Sequence, residues 1–123
     1  MALEVKARKL RDVTVVQCAG RLVFGDETTL LRTEVKELLT KNPRIVLDFG
    51  EVRDIDSGGV GTLVGLYTSA TAAGGGLKLA RGNKKVLQTL SITRLLDIIR
   101  VYDRVEDAIA AFGSEPARAA QAS

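Results

Sequence analysis

The 123-residue sequence contains no histidine, no tryptophan and only one cysteine, Cys18. Without histidine, a Ser-His-Asp triad, a Cys/His nucleophile pair and the usual His/Cys zinc sites cannot be built. A single cysteine supports no disulfide framework, so the chain suits a reducing compartment and Cys18 reads as a small buried apolar residue. Aromatics are scarce as well: Phe24, Phe49, Tyr67, Tyr102 and Phe112 are the full set. Five rings offer little for base stacking, and 18 basic against 15 acidic residues, scattered along the chain, give a net charge of +3 without a basic cluster. Nucleic acid is therefore not an expected partner. The opening "MALEVKARKL" carries charges within its first six residues and lacks the apolar centre of a signal peptide, so a cytoplasmic location is expected.

Charge is also missing from Ser57 to Leu77, a run of 21 residues. That length could span a bilayer, but seven glycines within it favour a buried helix ending in a turn, and no membrane association is expected.

What the sequence does contain is a regular alternation of strand and helix patterns. "LEVKARKL" and "VTVVQCAG", separated by Arg11-Asp12, predict an antiparallel hairpin closed by Gly20. Asp26 then caps a helix with Leu31, Val35, Leu38 and Leu39 on one face, ended by Asn42-Pro43. "RIVLDF" is almost continuously apolar, the mark of a central strand covered on both sides. A helix from Ser57 places Val60, Val64 and Tyr67 along one stripe, with Leu63 and Leu66 beside it, and Gly74 to Gly76 stop it. A strand at "LKLA", a helix capped by Asn83 and burying Val86, Leu87 and Leu90, a strand at "IIRVY" and a helix from Asp103 burying Val105, Ala108, Ile109 and Phe112 complete the series. The predicted fold is a single α/β domain over residues 1–112, with a mixed sheet, parallel at its centre and antiparallel at one edge, and about four helices. Residues 113–123 read as a disordered polar tail.

The chemistry of this plan concentrates where a strand's carboxyl end meets a helix N-terminus. "DIDSGGVGT", Asp54 to Thr62, occupies that junction and holds three glycines in four residues after a serine. It is not a P-loop, since no Gly-Lys-Ser/Thr follows. Gly59, Gly61 and Gly65 are spaced one residue too widely for a dinucleotide fingerprint, and a G-x-S-x-G elbow is ruled out by Ile55. Asp54 and Asp56 form a weak acid/base pair on an extended stretch, better read as part of a solvated loop. No catalytic residue, metal ligand set or cofactor site is predicted.

Two readings of Ser57 remain at this level. As a helix N-cap it accepts a hydrogen bond from an orphan amide. Yet a cap does not require Gly58, Gly59 and Gly61, each of which costs a helix roughly 0.5–1 kcal/mol relative to alanine. Either another element packs closely on this turn, or the hydroxyl and amides are left open to an approaching protein or phosphate.

The frame around the junction, "AGRLVFGDETTLL", then "RIVLDFGEVRDIDSGGVGTLVGLYTSA", then "LLDIIRVYDRVEDAI", resembles the STAS domain and in particular the bacterial anti-sigma factor antagonists, from about Leu3 to Phe112. The resemblance implies a protein-interaction switch without catalysis of its own. In such a switch the unphosphorylated domain binds an anti-sigma factor that is also a serine kinase of the GHKL ATPase type, and so frees the sigma factor. Phosphorylation ends binding, and a metal-dependent serine phosphatase resets it. By position, Ser57 is the implied phosphoacceptor, and Asp54, Asp56, Ser57, Gly58, Gly59 and Gly61 form the implied partner-binding surface. The sequence departs from its relatives at Gly58, where many carry a second hydroxyl. The other reading of the same resemblance is a non-switching STAS scaffold, or a subunit of a stress-signalling or lipid-transport complex.

Overall fold

The computed structural model describes residues 3–114. Strands β1 (Leu3–Leu10) and β2 (Val13–Leu22) form the hairpin, followed by α1 (Asp26–Leu39), β3 (Arg44–Ile55), α2 (Ser57–Ala72), β4 (Gly76–Ala80), α3 (Lys84–Ile92), a 3-10 turn (Leu95–Asp97), β5 (Val101–Tyr102) and α4 (Val105–Ser114). The five strands lie in chain order, β1-β2-β3-β4-β5, with β1 antiparallel to β2 and every other pair parallel. This is the mixed sheet with an antiparallel edge that the sequence predicts.

Strand periodicity divides the core into two layers. Ile45, Leu47 and Phe49 of β3, with Val16 and Cys18 of β2, face α1, α2 and α3 through Leu31, Val35, Leu63, Leu66, Val86 and Leu90. Val46, Val13 and Val15 point the other way and meet Val105, Ala108, Ile109 and Phe112 of α4. The near-continuous apolar run of β3 is thus explained by a strand with helices on both faces. Where α4 stops short, the buried Asp48 carboxylate takes a two-pronged hydrogen bond from Arg81, at 2.8 and 2.9 Å. The Arg81 guanidinium lies where a side chain on residue 50 would stand, so a larger residue than Gly50 would displace it from this position.

Several boundaries differ from the sequence reading. β2 runs past Gly20 to Leu22, through register shifts against β3 between Gln17 and Ala19 and between Gly20 and Arg21, because irregular pairing absorbs the glycine. β3 runs to Ile55, so Asp54 belongs to a strand and not to a solvated loop. The cap of α1 is Gly25, whose amide donates to Thr28 Oγ1 at 3.1 Å, and Asp26 falls inside the first turn. On α2 the buried face is Gly59, Thr62, Leu63, Leu66 and Ala70, while Val60, Val64 and Tyr67 are only half-buried. Ile98 is exposed and outside β5, since the 3-10 turn that buries Leu95 uses those residues before the strand begins. α4 begins at Val105, not Asp103, and covers Gly113 and Ser114, which were expected in the tail; residues 115–123 lie outside the described residues. No helix among the described residues is long and apolar enough to cross a membrane.

Candidate functional site at the β3–α2 junction

Four segments converge at the carboxyl end of the parallel strands: the end of β2 with its loop to α1, the end of β3, the first turn of α2 and the start of α3. Irregular pairing carries β2 far enough for the Leu22 carbonyl to accept the Asp56 amide at 3.3 Å. At the other side, Asn83 donates from Nδ2 to the carbonyls of Val52 and Arg53 at 3.3 and 3.4 Å, while its Oδ1 caps α3 by accepting from Val86 N at 2.7 Å.

The cap of α2 is Asp56 and not Ser57. Asp56 is extended, with φ −117° and ψ −173°, and its Oδ1 accepts from Gly59 N at 2.9 Å. Either residue type makes a good cap, and the carboxylate wins because it also satisfies a second segment. Both Asp56 oxygens accept the Phe24 amide, each at 3.1 Å, tying the β2–α1 loop to the helix. Its partial burial alone would raise the Asp56 pKa. The amides of Gly59, Phe24 and Gly58 outweigh that and hold the carboxyl below its ordinary value.

With the cap supplied by its neighbour, Ser57 is the first helical residue, and its exposed hydroxyl hydrogen-bonds to no described residue. It stands at the positive end of a 16-residue helix whose first turn carries no acidic side chain. Asp54 turns away from this centre: its Oδ1 accepts from its neighbour Ile55 N at 2.9 Å, and its carboxylate lies 3.5 Å from Lys85 Nζ and 4.0 Å from Arg21 Nε.

The glycines divide between the two explanations open at the level of sequence. A Cβ on Gly58 would stand 2.6 Å from Phe24 Cβ and 2.9 Å from its Cα. One on Gly59 would meet the Leu22 carbonyl and lie 2.7 Å from Ile55 Cγ1. Both are therefore close-packing positions, and the absent second hydroxyl at residue 58 reflects the approach of Phe24. Gly61 is different: nothing lies within 4 Å of an added Cβ, and it lies one turn beyond Ser57, with Gly65 a further turn on and equally open. Beside them Arg32 reaches across from α1 and donates to Thr62 Oγ1 at 3.2 Å, while Thr62 donates to the Gly58 carbonyl at 2.9 Å.

The structure thus gathers Asp56, Ser57 and Gly58 at the start of α2, turns Gly59 inward against Leu22 and Ile55, leaves Gly61 open one turn on, and places Asp54 at the border. Sequence reasoning missed Phe24, Lys85 and Arg32. Phe24 left one signal, a rare aromatic directly before the Gly25-Asp26 helix start, whereas nothing in the spacing ties Lys85 or Arg32 to the junction.

Cys18 lies fully buried under the helices, away from this surface. Burial first, and the Asp48 carboxylate second, push its thiol up to about 12, so it holds no reactive thiolate at neutral pH.

Comparison with known proteins identifies the fold. The model of the STAS domain family matches residues 4–108. A Thermotoga neapolitana protein, provisionally named an anti-sigma factor antagonist, is 35% identical over 101 residues, covering 81% of this chain and 89% of its own. The crystal structure of a Thermotoga maritima protein with the same provisional name superposes with a TM-score of 0.79 at 26% identity, covering 89% of this chain and 94% of that one. SpoIIAA, a cell fate determinant of Bacillus solved in its phosphorylated form, shares the fold with a TM-score of 0.66 at 19% identity, covering 89% and 98% of the two chains. With the family model spanning residues 4–108 and a 35%-identical relative matched over most of both chains, this chain belongs to the STAS domain family.

Proposed function

We propose that the chain is an anti-sigma factor antagonist whose partner binding is switched off by phosphorylation of Ser57. The carrying observation is the state of that serine: it is exposed, relieved of capping by Asp56, and set at the amide-rich start of α2. The names of the Thermotoga relatives support the antagonist role, and the phosphorylated SpoIIAA supports phosphate chemistry on this fold.

Unphosphorylated, the junction offers a neutral hydroxyl on an exposed turn to an anti-sigma factor, which in this reading is also a serine kinase of the GHKL ATPase type. Phosphorylation adds roughly −1.5 to −2 charge. The helix terminus accommodates it, for about 0.3–1 kcal/mol of favourable dipole interaction when exposed, so the fold survives the change. The partner does not, because a surface fitted to a neutral serine now meets a dianion beside the Asp56 carboxylate. A metal-dependent serine phosphatase restores the binding form. The chain itself catalyses nothing in this cycle and acts in the cytoplasm without cofactor.

The test is intact mass after incubation with ATP and the histidine-kinase-like ATPases of the same genome, each purified. One phosphate on wild type and none on Ser57→Ala is the expected result. An unmodified wild type with every such kinase, or equal labelling of Ser57→Ala, overturns the reading.

A further inference from the structure

The most exposed large apolar side chain among the described residues is Phe24, at 80% of its full accessibility. An aromatic ring in water forfeits the burial of roughly 150–250 Å² that it gains in a core or an interface. Here the ring is not a loose loop residue. Its backbone amide is held by both oxygens of Asp56 at 3.1 Å, and its Cα and Cβ rest on the first turn of α2, in the space that Gly58 leaves open. A fixed backbone under an exposed ring is preorganised for docking, since little freedom remains to be lost on binding. The ring's root also touches Gly58, the residue next to the exposed Ser57, so the exposed ring and the hydroxyl stand close together at the start of α2.

We infer that Phe24 is the apolar anchor through which the chain docks on its anti-sigma factor, and that the Asp56 carboxylate latches it in place until phosphorylation of Ser57 releases it. This inference rests on the function proposed above. The occupant is the anti-sigma factor and not a second copy of this chain, because the anchor packs against the first turn of α2, which carries the switch serine. The partner surface it fits is an apolar pocket beside a site that accepts the Ser57 hydroxyl. Aromatic residues set in such a centre carry a disproportionate share of binding energy. The release follows from competition. A phosphate on Ser57 repels the adjacent carboxylate and seeks the same first-turn amides that Asp56 now accepts, and the bond to Phe24 N is lost with the carboxylate's position.

Two measurements test this with the full chain. Titration calorimetry compares wild type, Phe24→Ala, Phe24→Leu and Ser57→Asp against the ATPase identified by the phosphorylation experiment. Phe24→Ala is expected to weaken binding about tenfold or more, and Phe24→Leu to recover part of the loss, with melting temperatures close to wild type because the ring makes few contacts within the chain. Wild-type affinity in Phe24→Ala overturns the anchor, whatever Ser57→Asp does. Wild-type affinity in Ser57→Asp alone overturns the charge switch and leaves the anchor standing. The latch is read from hydrogen exchange of the Phe24 amide, with no partner present. Exchange about tenfold faster in Ser57-phosphorylated than in unmodified protein is expected, and unchanged protection overturns the release.

Discussion

Asp56 does two jobs through one carboxylate, capping α2 at Gly59 and holding the loop at Phe24. That division of labour is what leaves the Ser57 hydroxyl available. Replacing Asp56 with alanine removes the cap and the latch together, and is expected to cost about 1–2 kcal/mol, as read by urea unfolding. The pH dependence has a definite sign. Because the folded-state pKa of Asp56 is lowered, its contribution is fully present above the ordinary aspartate value of about 3.9 and is lost as pH falls through the folded value. Wild type should therefore lose more stability than Asp56→Asn when unfolding is measured at pH values stepping from about 5 down to about 3. Equal losses would show that the amides around Asp56 do not favour its charged form. The identity of this cap was not legible beforehand. "Asp-Ser" at a helix start offers two good caps in succession, and only the position of Phe24, 32 residues earlier in the chain, decides between them.

At the scale of the element, α2 is a helix built from two kinds of glycine. Gly59 has no room for a methyl group beneath the Leu22 carbonyl, whereas Gly61 faces open space. Gly59→Ala should destabilise by about 1–3 kcal/mol through overpacking. Gly61→Ala should stabilise by roughly 0.5–1 kcal/mol through restricted backbone freedom. Thermal unfolding of the two variants checks this directly, and shifts of the same sign would contradict it. The sequence reading treated the glycines as one group, since spacing carries no information about what lies across from each. It was strongest where burial on both faces leaves an unbroken apolar run, as in "RIVLDF", and where helical spacing persists, as in Val105, Ala108, Ile109 and Phe112. It was weakest at ends. β3 continues through "GEVRDI" because Val52 and Ile55 keep contact with the core while charged residues between them face outward, a pattern that reads as a loop. Ile98 and Ile99 look alike in sequence, yet one is exposed and the other fully buried, because the preceding 3-10 turn fixes which of them faces inward.

The whole molecule is asymmetric about its sheet. Among the described residues three helices cover one face and one covers the other, and the candidate site lies at the end of the sheet where β2, β3, α2 and α3 meet. The Asp48–Arg81 pair closes the sheet on the α4 side, and its hydrogen bonds hold Arg81 as a firmly charged group. Nothing in this arrangement requires the core to move when Ser57 gains a charge; the change stays within one turn of α2 and the loop latched to it. A switch of this kind alters what the surface presents without unfolding what supports it. The most direct measurement is therefore the dissociation constant of the anti-sigma factor for unmodified and for Ser57-phosphorylated chain, taken side by side at one ionic strength. Binding weakened by at least about 1.4 kcal/mol, or tenfold, on phosphorylation is the predicted result. Equal affinity for the two forms would contradict it.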